Sequence, residues 1–234
     1  MKRGRVAAVL CPAIGVALAP TSFAVLWSAG RSLSVLIDRS RAAEAFLIGF
    51  GGYALAYLLG WMRFRRAYVF AHESTHAFAA WIGGGKVFRF VVHADRGHVD
   101  LSRVNAFIAL APYWVPLYAL LLIIGYRAFL WPAPSPHWRT AFEAGLGGCL
   151  AFHCCHTAQS LSMQQSDLDY AGWTLSLSLI ALLNGLVLLV LLGCLFPRRA
   201  PLAQGLGFAA HVSAAFWHSA AAGLASAAQR VRFP

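Results

Sequence analysis

Six apolar runs, each close to the length of a membrane-crossing helix, leave this chain few folds. They are Val6 to Ala29, Glu44 to Trp61, Ala67 to Gly83, Val104 to Leu130, Ala141 to Met163 and Tyr170 to Phe196. In lipid every backbone N–H and C=O must find its partner within the protein, so only helices and closed barrels cross. Barrel strands alternate apolar and polar residues, whereas these runs are continuous, which selects helices. Composition agrees, because only 12% of the residues are charged where a soluble domain carries about 25%. The expected fold is an all-α polytopic membrane protein of about six transmembrane helices.

A net charge of +11 can signal nucleic acid. Here the basic residues flank apolar runs instead of gathering on one face, so nucleic acid is excluded as a partner and the lipid bilayer takes its place. With the N-terminus inside, the inner loops hold Lys2, Arg3, Arg5, Arg63, Arg65, Arg66, Arg127, Arg139, Arg198 and Arg199. The outer loops hold Arg31, Arg39, Arg41, Lys86, Arg89, Arg96 and Arg103, and ten against seven is the sense expected of inner loops. The first run follows a basic start and resembles a signal peptide with Ser22-Phe23-Ala24 as cleavage site, but its length favours a retained span. Cys11, Cys149, Cys154, Cys155 and Cys194 lie in apolar segments without a C-x-x-C pair and read as small buried residues.

The chain divides into an N-terminal helix and loop (1–43), a core (44–197) and a basic or amphipathic tail (198–234). Arg31 to Arg41 reads as a polar loop, and Gly49, Gly51 and Gly52 in the second run offer a close helix contact. Lys86 to Leu101 alternates around Asp95-Arg96-Gly97, which predicts a β-hairpin with Val87 to His93 paired to His98 to Leu101. Ala111-Pro112 and Pro116 interrupt the fourth run. Trp131 to Arg139 reads as a proline-marked loop, and Gln164 to Asp169 as a polar break. In the tail, Leu202 to Ala228 predicts a helix on the membrane surface with Phe208, Phe216 and Trp217 dipping in.

Chemistry concentrates in the third run. His72-Glu73-Ser74-Thr75-His76 has the form H-E-x-x-H. On a helix residues four apart share a face, so His72 and His76 can bind one metal ion with Glu73 beside its water. Two imidazoles suit zinc, and ionisable groups at mid-membrane are functional by default. Catalytic zinc takes three protein ligands and one open position, so one ligand is missing. The candidates are the remaining acids, Asp38, Glu44, Asp95, Asp100, Glu143, Asp167 and Asp169, together with His153 and His156. His153, Gln164 and Asp167 fall near one helical face, since they are about four turns apart. His153 lies at the depth of the motif, whereas Asp167 reaches it only if the polar break folds inward. For His153 and His156 the plain reading is hydrogen bonding between helices.

The order of these features resembles the site-2 protease family of intramembrane zinc metalloproteases, over about Glu44 to Phe196. The resemblance rests on His72 to His76, the hairpin at Lys86 to Leu101, Ala109-Leu110-Ala111-Pro112, and Gln165-Ser166-Asp167-Leu168. It implies zinc held by His72, His76 and Asp167, while the residues themselves keep His153 as rival third ligand and Asp169 as a weaker one. The family's aspartate lies in a proline-rich L-D-G sequence, and this chain has no proline there and glycine only at Gly172. The implied activity is a zinc-dependent endopeptidase, Glu73 activating a zinc-bound water to cut a single-span membrane protein in or near the membrane. The hairpin would pair with the unwound substrate as an added strand. The alternatives are a membrane-embedded zinc hydrolase with a non-peptide substrate, and a non-catalytic metal-binding or transport protein. The Ala, Leu and Arg bias points to a bacterial plasma (inner) membrane.

Overall fold

The structure, a computed structural model, describes residues 5–37, 41–130, 135–163 and 165–232. Lys2, Arg3, Asp38, Arg39, the first four residues of the proline-marked loop, and Gln164 lie outside the described residues. The protein is mostly helical with one two-stranded antiparallel sheet. In chain order the elements are α1 (Arg5–Ile37), α2 (Arg41–Leu58), α3 (Arg65–Ile82), β1 (Val87–Val92), β2 (Gly97–Leu101), α4 (Ala106–Leu110), α5 (Leu117–Gly125), α6 (Pro136–Leu161), α7 (Ser166–Ala171), α8 (Trp173–Leu195) and α9 (Leu202–Arg232). They form two compact units, one of residues 1–36 with 172–234 and the other of residues 37–171. The last long apolar helix, α8, therefore groups with the two ends of the chain.

In the first unit, α1 and α8 touch through small residues. A Cβ on Gly15 would lie 2.6 Å from the Leu175 backbone nitrogen, and one on Gly185 would lie 2.8 Å from Val25 Cγ1. Hydroxyl groups join the two helices: Ser22 donates to the Ser178 carbonyl at 2.8 Å and Ser178 to the Gly15 carbonyl at 2.8 Å. Small residues and interhelical hydroxyl bonds are how helices associate where lipid removes the hydrophobic drive. Val9–Leu36 and Trp173–Leu195 are long and apolar enough to cross a membrane, which marks a membrane protein.

Two expectations about this unit change. Arg31 to Ile37 continues α1 instead of forming a loop. No proline or glycine stops the helix after Gly30, Leu36 is fully buried, and the Arg31 guanidinium lies 4.5 Å over the Phe208 ring. In α9, Phe208 packs edge-on to Trp27 at 6.2 Å rather than dipping outward, while Phe216 and Trp217 are exposed.

The second unit is built on α2 against α6. A Cβ on Gly49 would collide with the Ala144 carbonyl, and one on Gly147 with the Phe46 carbonyl, so glycine sets the approach of the two backbones. Gly51 and Gly52 face open space. Helix α6 starts at Pro136, inside the expected loop, because Ser135 caps it by accepting from the Trp138 N–H and proline suits the first turn. The fourth run is a bent pair, 106–113 and 117–129, with 74° between its arms. Pro112 and Pro116 cause the bend by removing backbone donors. Counting that pair as one span brings the helices long and apolar enough to cross to three among the described residues, and Ala43–Leu58 is apolar but shorter.

The hairpin forms as expected, with Val91 opposite His98 and Val92 opposite Gly97, and a register shift between Val87 and Arg89. Phe90 meets Phe70 of α3 at 6.1 Å.

The α2–α6 contact yields a paired prediction. Gly147→Ala overpacks the contact and costs about 1–3 kcal/mol, whereas Gly51→Ala gains up to about 1 kcal/mol from helix propensity. Thermal unfolding in detergent checks both: the first variant melts below the parent protein and the second does not.

Candidate metal centre

His72 and His76 lie one turn apart on α3 and turn their Nε2 atoms to the same point, 3.2 Å from each other. Asp167 arrives from α7, its Oδ2 3.4 Å from His72 Nε2 and 3.6 Å from His76 Nε2. Four equal bonds of about 2.0–2.1 Å in a tetrahedron put the ligand atoms roughly 3.3–3.4 Å apart. The three separations bracket that spacing and leave one corner free. Among the described residues this is the one group of three or more His, Cys, Asp or Glu side chains spaced to hold a metal ion.

The donor chemistry fits as well as the spacing. His76 Nδ1 lies 2.8 Å from the Ile108 carbonyl, which can only accept. Nδ1 therefore carries the proton, and Nε2 presents a lone pair towards the site. The Ile108 carbonyl is free for this role because its helical partner four residues on is Pro112, which has no N–H. Asn105 caps α4 by accepting from the Ile108 N–H at 2.9 Å, which holds Ile108 from its other side. A proline motif and a capped five-residue helix thus orient one histidine of α3.

Asp167 is carried by the polar break, which does fold inward. Leu168 is fully buried, and the Tyr170 hydroxyl donates to the Val104 carbonyl at 2.7 Å. Tyr113, at the end of the 3-10 turn that follows α4, donates its hydroxyl proton to Asp167 Oδ2 at 3.0 Å. That phenol, donating to the oxygen, favours the ionised carboxylate. The charged form is the one a metal requires.

Glu73 is buried and lines a cavity of about 420 Å³ with His72, Tyr68, Gly97, His156 and Gln165. Gly97 of β2 lies directly on it. A Cβ there would come 2.5 Å from Glu73 Cγ and 2.7 Å from Oε1. Gly97 does not have a positive φ, so close approach rather than backbone conformation calls for glycine.

The structure brings Asp167, not His153, to the two histidines. His153 sits on α6 and lines a second, small cavity that His72 shares with Pro112, Val115 and Cys149, outside the three-residue cluster. His156 is buried among aromatic rings, stacked on Tyr68 at 5.0 Å with the Tyr53 hydroxyl 3.3 Å from its Nε2. Asp169 is on α7 but outside the cluster, and Glu143 pairs with Arg139 at 3.0 Å. Sequence reasoning passed over Tyr113 and the Ile108 carbonyl. Only the second left a signal, the proline four residues on. No protein-family model, curated protein or solved structure matches this chain.

Pro112→Ala restores the N–H that competes for the Ile108 carbonyl and so loosens His76. Removing an outer partner of this kind costs about 10–100-fold in metal affinity. Zinc titration of the detergent-purified protein is the check, with the variant expected to bind more weakly and no change at Pro116→Ala.

Proposed function

We propose that the protein is an integral membrane zinc metallopeptidase, similar in plan to the site-2 proteases, which cuts a single-span membrane protein in or near the bilayer. The observation that carries this reading is Glu73. It is a buried carboxylate on the wall of an open cavity, beside three metal-type ligands with one corner free. A purely structural metal site closes all four positions and has no use for such a neighbour.

In this reading His72, His76 and Asp167 hold the ion, and α2, α3, the bent pair, α6, α1 and α8 make six spans of a bacterial inner membrane protein. Zinc bound there supplies Lewis acidity and a water acidic enough to ionise near neutral pH. Glu73 accepts a proton from the attacking water and returns it to the leaving amine. Gly97 keeps the hairpin backbone pressed on Glu73, which restricts where that carboxylate can point. His76, locked by the Ile108 carbonyl, keeps its ring from rotating as the peptide approaches. The cavity wall of Tyr68, Gln159, Ser160 and Gln165 offers hydrogen bonds to an extended peptide, and an intact helix has none of its backbone groups to spare for them.

Two substitutions test the assignment against a single-span reporter substrate in proteoliposomes. Glu73→Gln retains zinc and abolishes cleavage. Gly97→Ala retains zinc and cuts cleavage about 100-fold, the scale of loss for a displacement near 1 Å. Unchanged cleavage in Glu73→Gln would contradict the enzyme reading. Zinc binding with metal transport and no hydrolysis by the parent protein would favour a carrier instead.

A further inference from the structure

We propose that Tyr113 is a positioning residue of the metal centre, which holds Oδ2 of Asp167 towards the two histidines. The inference rests on the metal reading above and adds to it a residue outside the three ligands. Tyr113 is fully buried, and its ring meets His72 edge-on at 5.4 Å. Its hydroxyl proton goes to Oδ2 of Asp167, the same oxygen that faces His72 and His76. A phenol at 3.0 Å uses one lone pair of that oxygen and leaves another directed at the two imidazoles. The carboxylate then cannot swing Oδ2 away from the imidazoles without breaking that hydrogen bond.

The need for such a clamp follows from where Asp167 stands. Its helix, α7, has six residues and no proline to stiffen its entry. A helix this short has little stability of its own, so tertiary contacts must place it. Leu168 and Tyr170 anchor the backbone. Tyr113 reaches the carboxylate itself, and it also approaches Gln165 Oε1 at 3.4 Å, two residues before the ligand. Tyr113 follows Pro112 directly, so the turn that frees the Ile108 carbonyl for His76 also presents the phenol to Asp167. One short segment thereby orients two of the three ligands, which lie on elements ninety residues apart in sequence.

The test uses the full chain in detergent with Co2+ as the probe, read by its visible d–d absorption and by competition for affinity. Tyr113→Phe keeps the ring and removes the hydroxyl. The expected result is about 10–100-fold weaker Co2+ binding and a spectrum shifted from that of the parent protein. Tyr118→Phe is the control, since that phenol donates to the Ala67 carbonyl of α3 at 2.7 Å and not to a ligand. In an Asp167→Asn background Tyr113→Phe should have no further effect, because the hydroxyl acts through the carboxylate. Equal affinity and an equal spectrum in Tyr113→Phe would overturn the proposal. So would an additive loss in the Asp167→Asn background, or a metal-free Tyr113→Phe protein that melts well below the parent, either of which marks a packing role. If the parent chain fails to bind Co2+, the metal reading itself fails and the clamp with it; parent binding without a Tyr113 effect refutes the clamp alone.

Discussion

Two acceptor atoms, Nε2 of His76 and Oδ2 of Asp167, face each other 3.6 Å apart in a buried pocket. His72 Nε2 stands within 3.4 Å of both. Lone pairs held this way repel, and one proton on His72 can satisfy only one of its neighbours. A cation would satisfy all three at once, and would make such a polar cluster tolerable among apolar helices. Much of the second unit serves to hold those three atoms. Helix α3 supplies two of them, the bent pair supplies the carbonyl and the phenol behind them, and α7 supplies the third.

The proline-marked bend is the element on which this arrangement turns. A straight fourth helix would satisfy its own carbonyls and present nothing to α3. Pro112 leaves the Ile108 carbonyl without its helical donor, and His76 takes the place of that donor. Tyr113 follows at once and turns to Asp167. Backbone irregularity of this kind is costly in lipid unless protein groups use the freed atoms, and here they do.

The α3 group and the hairpin were legible in the sequence because each has its own period, four residues for the histidines and two for the strands. The gap between His153 and Asp167 as third ligand could not be closed from residues alone. Only Asp167 depends on the polar break folding inward, and that fold is held by Leu168 burying itself and Tyr170 reaching the Val104 carbonyl. A contact across 66 residues of sequence leaves no periodic trace. The same holds for Gly97, readable as a turn residue but pressed on Glu73, and for α8, whose sequence looks like its neighbours yet groups with α1 and α9. The run after Gly30 was misread for a different reason: serines and an arginine look like a loop, but with no breaker among them the helix continues.

The most direct measurement is the zinc content of two purified variants side by side, Asp167→Ala and His153→Ala. The account requires that Asp167→Ala lose the ion and that His153→Ala keep about one per chain. Zinc retained without Asp167 and lost without His153 would contradict it, and the inward fold of α7 would then have no role in the site.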